Sequence, residues 1–433
     1  MGRASELTKN EIAWDKLFAK YRILENIKRY GIFVITAVQI REYREARLMT
    51  KFDHKVNLPR LFSDNNLAIL PITRGRYVIS NFEAYKDFPA INKEVIRVSI
   101  PTHIESLDYQ NITSEATAIN CAYSANILAD FSEDENLIPT VNGRMGSGAF
   151  SFQINNIINN TEFEIDVVNS QIEIDGGYEG QNQLVLIEAK NYIADDFLIR
   201  QLYYPYRLWR DKVKKRITPV FLMYSNGIFS LYEYEFQEPL NYNSLVLVKQ
   251  KNYTIEPVEI SLDDIVRILT KVAIVVEPSV PFPQADNFRR VINLCELLSQ
   301  GEMSKDDITL NYAFDPRQTN YYADAGRYLG FIDKRREENE VVFFLTEEGR
   351  KIFLENYRER QLKFVEAILS HKVFNELYRL YLNQTEPPAK RDIVKIMKQS
   401  NLYQVQAEST YERRASTVIG WINWILGLYR ETL

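Results

Sequence analysis

The sequence predicts a multidomain α+β protein: a central α/β core with a mixed sheet, flanked by smaller helix-and-hairpin units and a helical region. Three observations carry this. The 433 residues suffice for several domains at roughly 100–200 residues each. Hydrophobic residues at 45% and charged residues at 26% fit a globular chain and exclude wholesale disorder or coiled coil. Between residues 95 and 270 one strand-like run follows another, whereas the flanks are mainly helix-like. No apolar run approaches the ~18–20 residues of a membrane span. The opening MGRASELTKN lacks the apolar stretch of an export signal, so a cytoplasmic location is expected. Two cysteines, Cys121 and Cys295, and three histidines, His54, His103 and His371, offer no zinc or disulfide framework.

Residues 1–95 are expected to form a winged-helix-like, DNA-binding unit. Ile12, Leu17, Leu24 and Ile27 have helical spacing, and Gly31 stands where a helix-ending glycine belongs. A second helical stretch presents Arg41, Arg44 and Arg47, and NLAILPITRGRYVIS reads as two strands around a turn at Arg74–Arg76. Residues 1–60 hold 13 Lys/Arg against 7 Asp/Glu, so a net charge of −5 for the whole chain conceals a basic end. The 27 tyrosines add side chains suited to phosphate contact or base stacking, although half-buried packing explains any one of them equally well.

Residues 96–270 are expected to form the core. A helix from Ser114 to Phe131 starts on a serine cap. The loop GRMGSGAFSFQI follows, then the strands FEIDVV, SQIEIDGG and NQLVLIEAK, a helix through DDFLIRQLYYPYRLWRDKV, and the strands TPVFLMYS and IFSLYEYEF. The three prolines of VVEPSVPFPQAD mark 271–285 as a linker. In 286–365, Asp315-Pro316 caps and opens a helix, and a hairpin near Glu337–Glu340 precedes TEEGRKIF, an order that fits a winged helix. Residues 366–433 read as a helical, helix-turn-helix-like region. Ile419, Trp421, Ile422, Trp424 and Ile425 make its last helix too apolar for DNA reading alone.

The chemistry concentrates in IEIDGGYEGQNQLVLIEAKN. Residues two apart on a strand share a face, so Glu188 and Lys190 emerge together while Ala189 points into the core. Asp175, on the neighbouring strand about 4.8 Å away, can bring its carboxylate beside Glu188. Two hard carboxylates with an ammonium beside them suit a divalent cation, and Mg²⁺ keeps its other positions for water and substrate phosphate. The pattern resembles the PD-(D/E)XK nuclease superfamily, known from type II restriction endonucleases, with Ile174 in place of the proline.

The resemblance spans about residues 110–235. It implies that Asp175 and Glu188 are metal ligands, that the Ala189 backbone carbonyl adds another, and that Lys190 orients or deprotonates the attacking water. Glu115 matches an additional acidic ligand of some relatives, and Gln201 a glutamine that touches their active sites. The implied activity is sequence-specific cleavage of double-stranded DNA with Mg²⁺ or another divalent ion, by a protein that is a homodimer at least on DNA. The basic stretch with Arg200, Arg207 and Arg210 favours a polyanion. GRMGSGAF lacks the Lys-Ser/Thr of a nucleotide loop, so ATP is not expected, and Arg144 is expected to approach DNA phosphates. Arg317, Gln318 and Asn320, in the first turns of the helix opened by Pro316, are candidate base readers, with Arg41, Arg44 and Arg47 as rivals. The alternatives are a DNA-binding transcriptional regulator with a non-catalytic central domain, and a repair or junction nuclease of the same superfamily.

Overall fold

The apolar spacing of the first thirty residues yields two helices, not one, in the computed structural model, which describes residues 7–89, 94–159, 161–255, 260–337, 340–383 and 388–430. Helix α1 (Lys9–Tyr21) opens on a capping box between Thr8 and Glu11. Arg22 then turns left-handed, with φ 48°, and α2 (Ile23–Tyr30) starts afresh. The Asn26 side-chain amide donates to the carbonyls of Tyr21 and Arg22 across the break. Ile12, expected to face inward, is exposed; Trp14, Leu17, Phe18 and Ile27 make the core face with Phe62. The unit continues through β1 (Phe33–Thr36), α3 (Ala37–Arg41), α4 (Ala46–Thr50), a 3₁₀ turn at Lys55–Asn57, α5 (Arg60–Asp64), β2 (Ala68–Thr73) and β3 (Arg76–Ser80). Its strands lie in the order β1-β3-β2. Arg41 and Arg47 therefore sit on two short helices, with Arg44 in the turn between.

The central region runs through β4 (Tyr85–Asp87), β5 (Val95–Arg97), α6 (Glu115–Ser124), α7 (Ile127–Ser132), β6 (Ile138–Gly146), β7 (Ala149–Asn155), β8 (Glu162–Val168), β9 (Gln171–Glu179) and β10 (Gln183–Lys190). It ends with β11 (Asp196–Leu198), α8 (Arg200–Arg210), β12 (Arg216–Ser225), β13 (Ile228–Phe236), β14 (Leu245–Thr254) and α9 (Leu262–Lys271). The expected helix from Ser114 to Phe131 breaks at Asn126, which is left-handed. The expected glycine-rich loop is mostly strand: Gly143, at φ 86°, lets β6 bulge past β9 while both stay paired.

Seven strands form one mixed sheet in the order β5-β14-β13-β12-β10-β9-β6. β10 lies parallel to β12 and antiparallel to β9. A parallel neighbour needs a crossover, which α8 supplies as it packs across β9, β10 and β12. Alternation along β10 sorts its side chains. Val185, Ile187 and Ala189 pack with α6, around Ile119 and Cys121, while Leu184 and Leu186 join the cluster containing Leu202 and Leu208 of α8. Each buried Val, Leu or Ile here contributes about 1.5–3 kcal/mol, and the same alternation delivers Glu188 and Lys190 to the α8 side.

Residues 272–287 join α9 to α10 (Phe288–Ser299) without helix or strand. The following elements are β15 (Met303–Ser304), α11 (Lys305–Asn311), α12 (Pro316–Tyr328), β16 (Ile332–Glu337), β17 (Glu340–Leu345) and α13 (Glu347–Ile352), with strand order β15-β17-β16. Residues 338 and 339, within the expected hairpin, lie outside the described residues. Helices α14 (Tyr357–Leu369), α15 (Lys372–Asn383), α16 (Lys390–Lys398) and α17 (Glu408–Arg430) follow.

The proline-rich connection is packed, not loose. Phe282 stacks on Phe374, Trp421 Nε1 donates to the Ala285 carbonyl at 2.7 Å, and Thr417 Oγ1 donates to Asp286 at 2.8 Å. Gly420 is required there, because a Cβ would lie 2.1 Å from the Asp286 carbonyl. Among the described residues no helix is long and apolar enough to cross a membrane.

Candidate active site

Asp175 lies within β9, not at its end, and the β9–β10 ladder stops at Ile187↔Gly176, one step short of Glu188 and Asp175. There the Asp175 carboxylate accepts the Ala189 amide proton at 2.9 Å. Glu188 and Lys190, both under one-tenth exposed, pair at 2.6 Å, and Lys190 Nζ also donates to the Ala189 carbonyl at 3.2 Å. Gln201, in the first turn of α8, donates to Glu188 at 2.5 Å. Glu115, the first residue of α6, stands 3.7 Å from Lys190. Groups of β10 and α6 thus meet at one ammonium, and side chains of β9 and α8 hydrogen-bond to the same stretch of β10.

Burial, aided by the neighbouring Asp175 carboxylate, pushes the Glu188 carboxyl up to about 8 against the pull of Lys190. Burial likewise raises Asp175 and Glu115, each partly restrained by Lys190. Burial works against the Lys190 ammonium, yet Glu188 and Glu115 outweigh it and raise its pKa. The site is thus rich in carboxylates that burial disfavours as anions, a condition that a cation relieves.

These groups line a cleft of about 870 Å³ with Arg41, Arg47, Lys51, Arg74, Arg144 and Arg200. The structure brings Asp175, Glu188, Lys190, Glu115, Gln201, Arg41, Arg47 and Arg144 together there. Four expected contributors, together with Arg44, are not in the lining. Arg207 is buried, donating to the Ser151 carbonyl and the Tyr203 hydroxyl and lying over the Phe150 ring, so it holds α8 in place and does not face DNA. Arg317 is exposed, but the Gln318 side-chain oxygen is occupied by the Asp315 amide in the cap of α12, and Asn320 lies on that same helix. Arg144 pairs with Glu173 at 3.1 Å.

The sequence reading missed Asp53, Lys51 and Tyr192. Asp53 belongs to the first unit, and no local motif points to its meeting with β10. A second cavity of about 590 Å³, between β12–β14 and α17, has Asp286 as the only carboxylate in its lining and offers no paired acids.

The donor set suits a hard divalent ion. Asp175 and Glu188 line one cleft with Gln201, whose Nε2 donates to Glu188 and whose buried Oε1 has no hydrogen-bond partner. Among the described residues no three His, Cys, Asp or Glu side chains form a closed metal cage. A cation here would rest on Asp175 and Glu188, and water and substrate oxygens would complete its shell.

Comparison with known families divides the chain in three. Residues 11–79 match the domain of unknown function DUF6996, residues 80–254 match DUF6997, and residues 290–430 match DUF7226. The candidate carboxylates of β9 and β10 fall within the second match, and Asp53 falls within the first. No curated protein and no solved structure matches the chain.

Proposed function

We infer that the protein is a divalent-metal-dependent DNA endonuclease with a PD-(D/E)XK-type core, and that the cleft holding Asp175, Glu188 and Lys190 is its active site. One observation carries the reading. A buried and a half-buried carboxylate meet an ammonium from β9 and β10 in a cleft whose other charged walls carry five arginines and Lys51 against four carboxylates. Carboxylates alone would repel a phosphodiester; guanidinium groups around them give the phosphates a place to bind.

In this reading Asp175 and Glu188 hold the cation, with the unpartnered Gln201 oxygen in the same cleft. When bound, the ion offsets charge on the scissile phosphate and on the departing 3′ oxygen. Lys190 Nζ orients the attacking water, whose oxygen bonds to phosphorus as the P–O3′ bond breaks. Arg41, Arg47, Arg74 and Arg144 grip flanking phosphates. The two small units with strand orders β1-β3-β2 and β15-β17-β16 are taken as winged-helix-like, which suits site-specific cleavage of the restriction class, by a homodimer if both strands are cut.

The same two units also favour a DNA-binding regulator, which would bind DNA without cutting it. Incubating the protein with mixed-sequence plasmid and Mg²⁺, with and without EDTA, and mapping the ends separates the readings. Discrete ends that require the ion support the nuclease. Retarded but intact DNA supports the regulator.

A further inference from the structure

Asp53 enters the cleft from outside the central region. Its backbone is sewn to that region from both sides: Leu198 N–H donates to the Asp53 carbonyl at 2.9 Å, and the Tyr85 hydroxyl donates to the Phe52 carbonyl at 2.9 Å. Next door His54, 1% exposed, places Nδ1 2.6 Å from the Asp196 carbonyl and Nε2 3.0 Å from the Tyr192 hydroxyl. The Lys55 amide donates to the Asp196 carboxylate at 3.1 Å. Four consecutive residues of the first unit are thus fixed to the wall of a site built by the second.

The Asp53 side chain is 13% exposed, pairs with Lys51 at 3.9 Å and lines the same cleft as Glu115, Asp175, Glu188 and Lys190. Burial alone would push its carboxyl up, yet Lys190 and Lys51 hold it below the usual range. An anion kept in so dry a place by Lys190 acts back on Lys190 with equal strength.

We propose that Asp53 is a positioning residue of the active site, supplied across the boundary between the first two units, and that it steadies Lys190 within the cleft they share. This deepens the nuclease reading and rests on it. Glu188 faces two tasks, since it pairs with Lys190 and is a ligand for the cation. When Glu188 turns to the ion, Asp53 with Glu115 keeps the ammonium in place beside the attacking water. The central unit alone is then an incomplete enzyme.

The test uses the full chain with Asp53→Asn, which keeps the shape and removes the charge, and Asp53→Glu, which restores the charge. Cleavage turnover with Mg²⁺ should fall about ten-fold or more in Asp53→Asn, as expected for a misplaced reacting group, while KM for DNA stays the same or drops. Asp53→Glu should recover part of the loss. Calorimetric titration with Ca²⁺, without DNA, supplies a readout independent of activity and should show weaker binding in Asp53→Asn.

Wild-type turnover and Ca²⁺ affinity in Asp53→Asn, with Asp175→Asn inactive, would overturn the inference and leave the nuclease reading standing. Wild-type protein that neither cuts DNA nor binds Ca²⁺ would instead overturn the nuclease reading. A parallel fall in melting temperature and turnover that Asp53→Glu does not repair would show a merely structural role and also overturn the inference.

Discussion

The chain contains two small units of similar plan whose charges face different surroundings. Residues 9–80 and 288–352 each have a three-stranded sheet in which the first strand pairs with the last, and helices lie between the first strand and the hairpin. The first unit turns Arg41, Arg47, Lys51, Asp53 and Arg74 toward the cleft. The second spends its cations on its own acids. Arg327 and Lys334 share Asp324, and Arg335 is held between Glu302 and Glu337. A common scaffold therefore says little about role. The seam against which a unit docks says more.

The largest effect tests whether the cleft is the reactive place at all. Glu188→Gln, Asp175→Asn and Lys190→Met should each lower Mg²⁺-dependent cleavage at least about a hundred-fold, with DNA retention intact in a mobility-shift assay. Full activity in any of them would remove the reason for assigning the first unit to the site.

The next effect sets the two units against each other. Arg41→Ala with Arg47→Ala should weaken DNA binding roughly ten-fold and flatten the dependence of log K on log salt by about 1.8, as two lost phosphate contacts require. Arg317→Ala with Gln318→Ala should change neither by more than about two-fold on scrambled DNA, because these side chains are outside the cleft. The opposite result, measured by anisotropy across a salt series, would exchange the roles.

A smaller effect comes from protons. The Glu188 carboxyl has a folded pKa near 8, above its ordinary 4.5, so the folded state holds a proton that the unfolded state has lost. Stability from this group is complete below about 4.5 and declines as pH rises through about 8. A cation that replaces the proton cancels the decline. Ca²⁺ should therefore raise the melting temperature more at pH 8.5 than at pH 6, and Glu188→Gln should remove that difference.

The smallest concerns the join between the central region and the second unit. Phe282 and Ala285 are buried, so limited proteolysis should leave 277–285 uncut under conditions that nick exposed loops. A cut there, with release of a folded C-terminal fragment, would mean that the second unit is tethered and not fixed.

Much of the core was readable because its signals are local. The apolar run before Glu188, the spacing of Glu188 and Lys190, the strand carrying Asp175 and the Asp315-Pro316 cap all follow from period-two alternation or capping chemistry. What escaped is decided by distant packing. Arginine at position 22 gives no sign of a left-handed backbone, and the break there is bridged by Asn26. Arg207 looks like a solvated cation in the sequence, but Phe150, Tyr203 and the Ser151 carbonyl make a buried seat for it. Asp53 gave no signal, because Leu198 and Lys190, which tie it to the cleft, lie more than a hundred residues away. The prolines of 278–283 suggested a flexible tether and hid the aromatic stacking that pins it.

That pinning has a consequence in time. The indole that holds the Ala285 carbonyl comes 136 residues later in the chain. At about 5–20 residues per second of synthesis, this is roughly 7–27 s during which the Ala285 carbonyl lacks its partner. The arrival of Gly420 and Trp421 closes that contact, so the join between the sheet and the helices is completed only once α17 has been made.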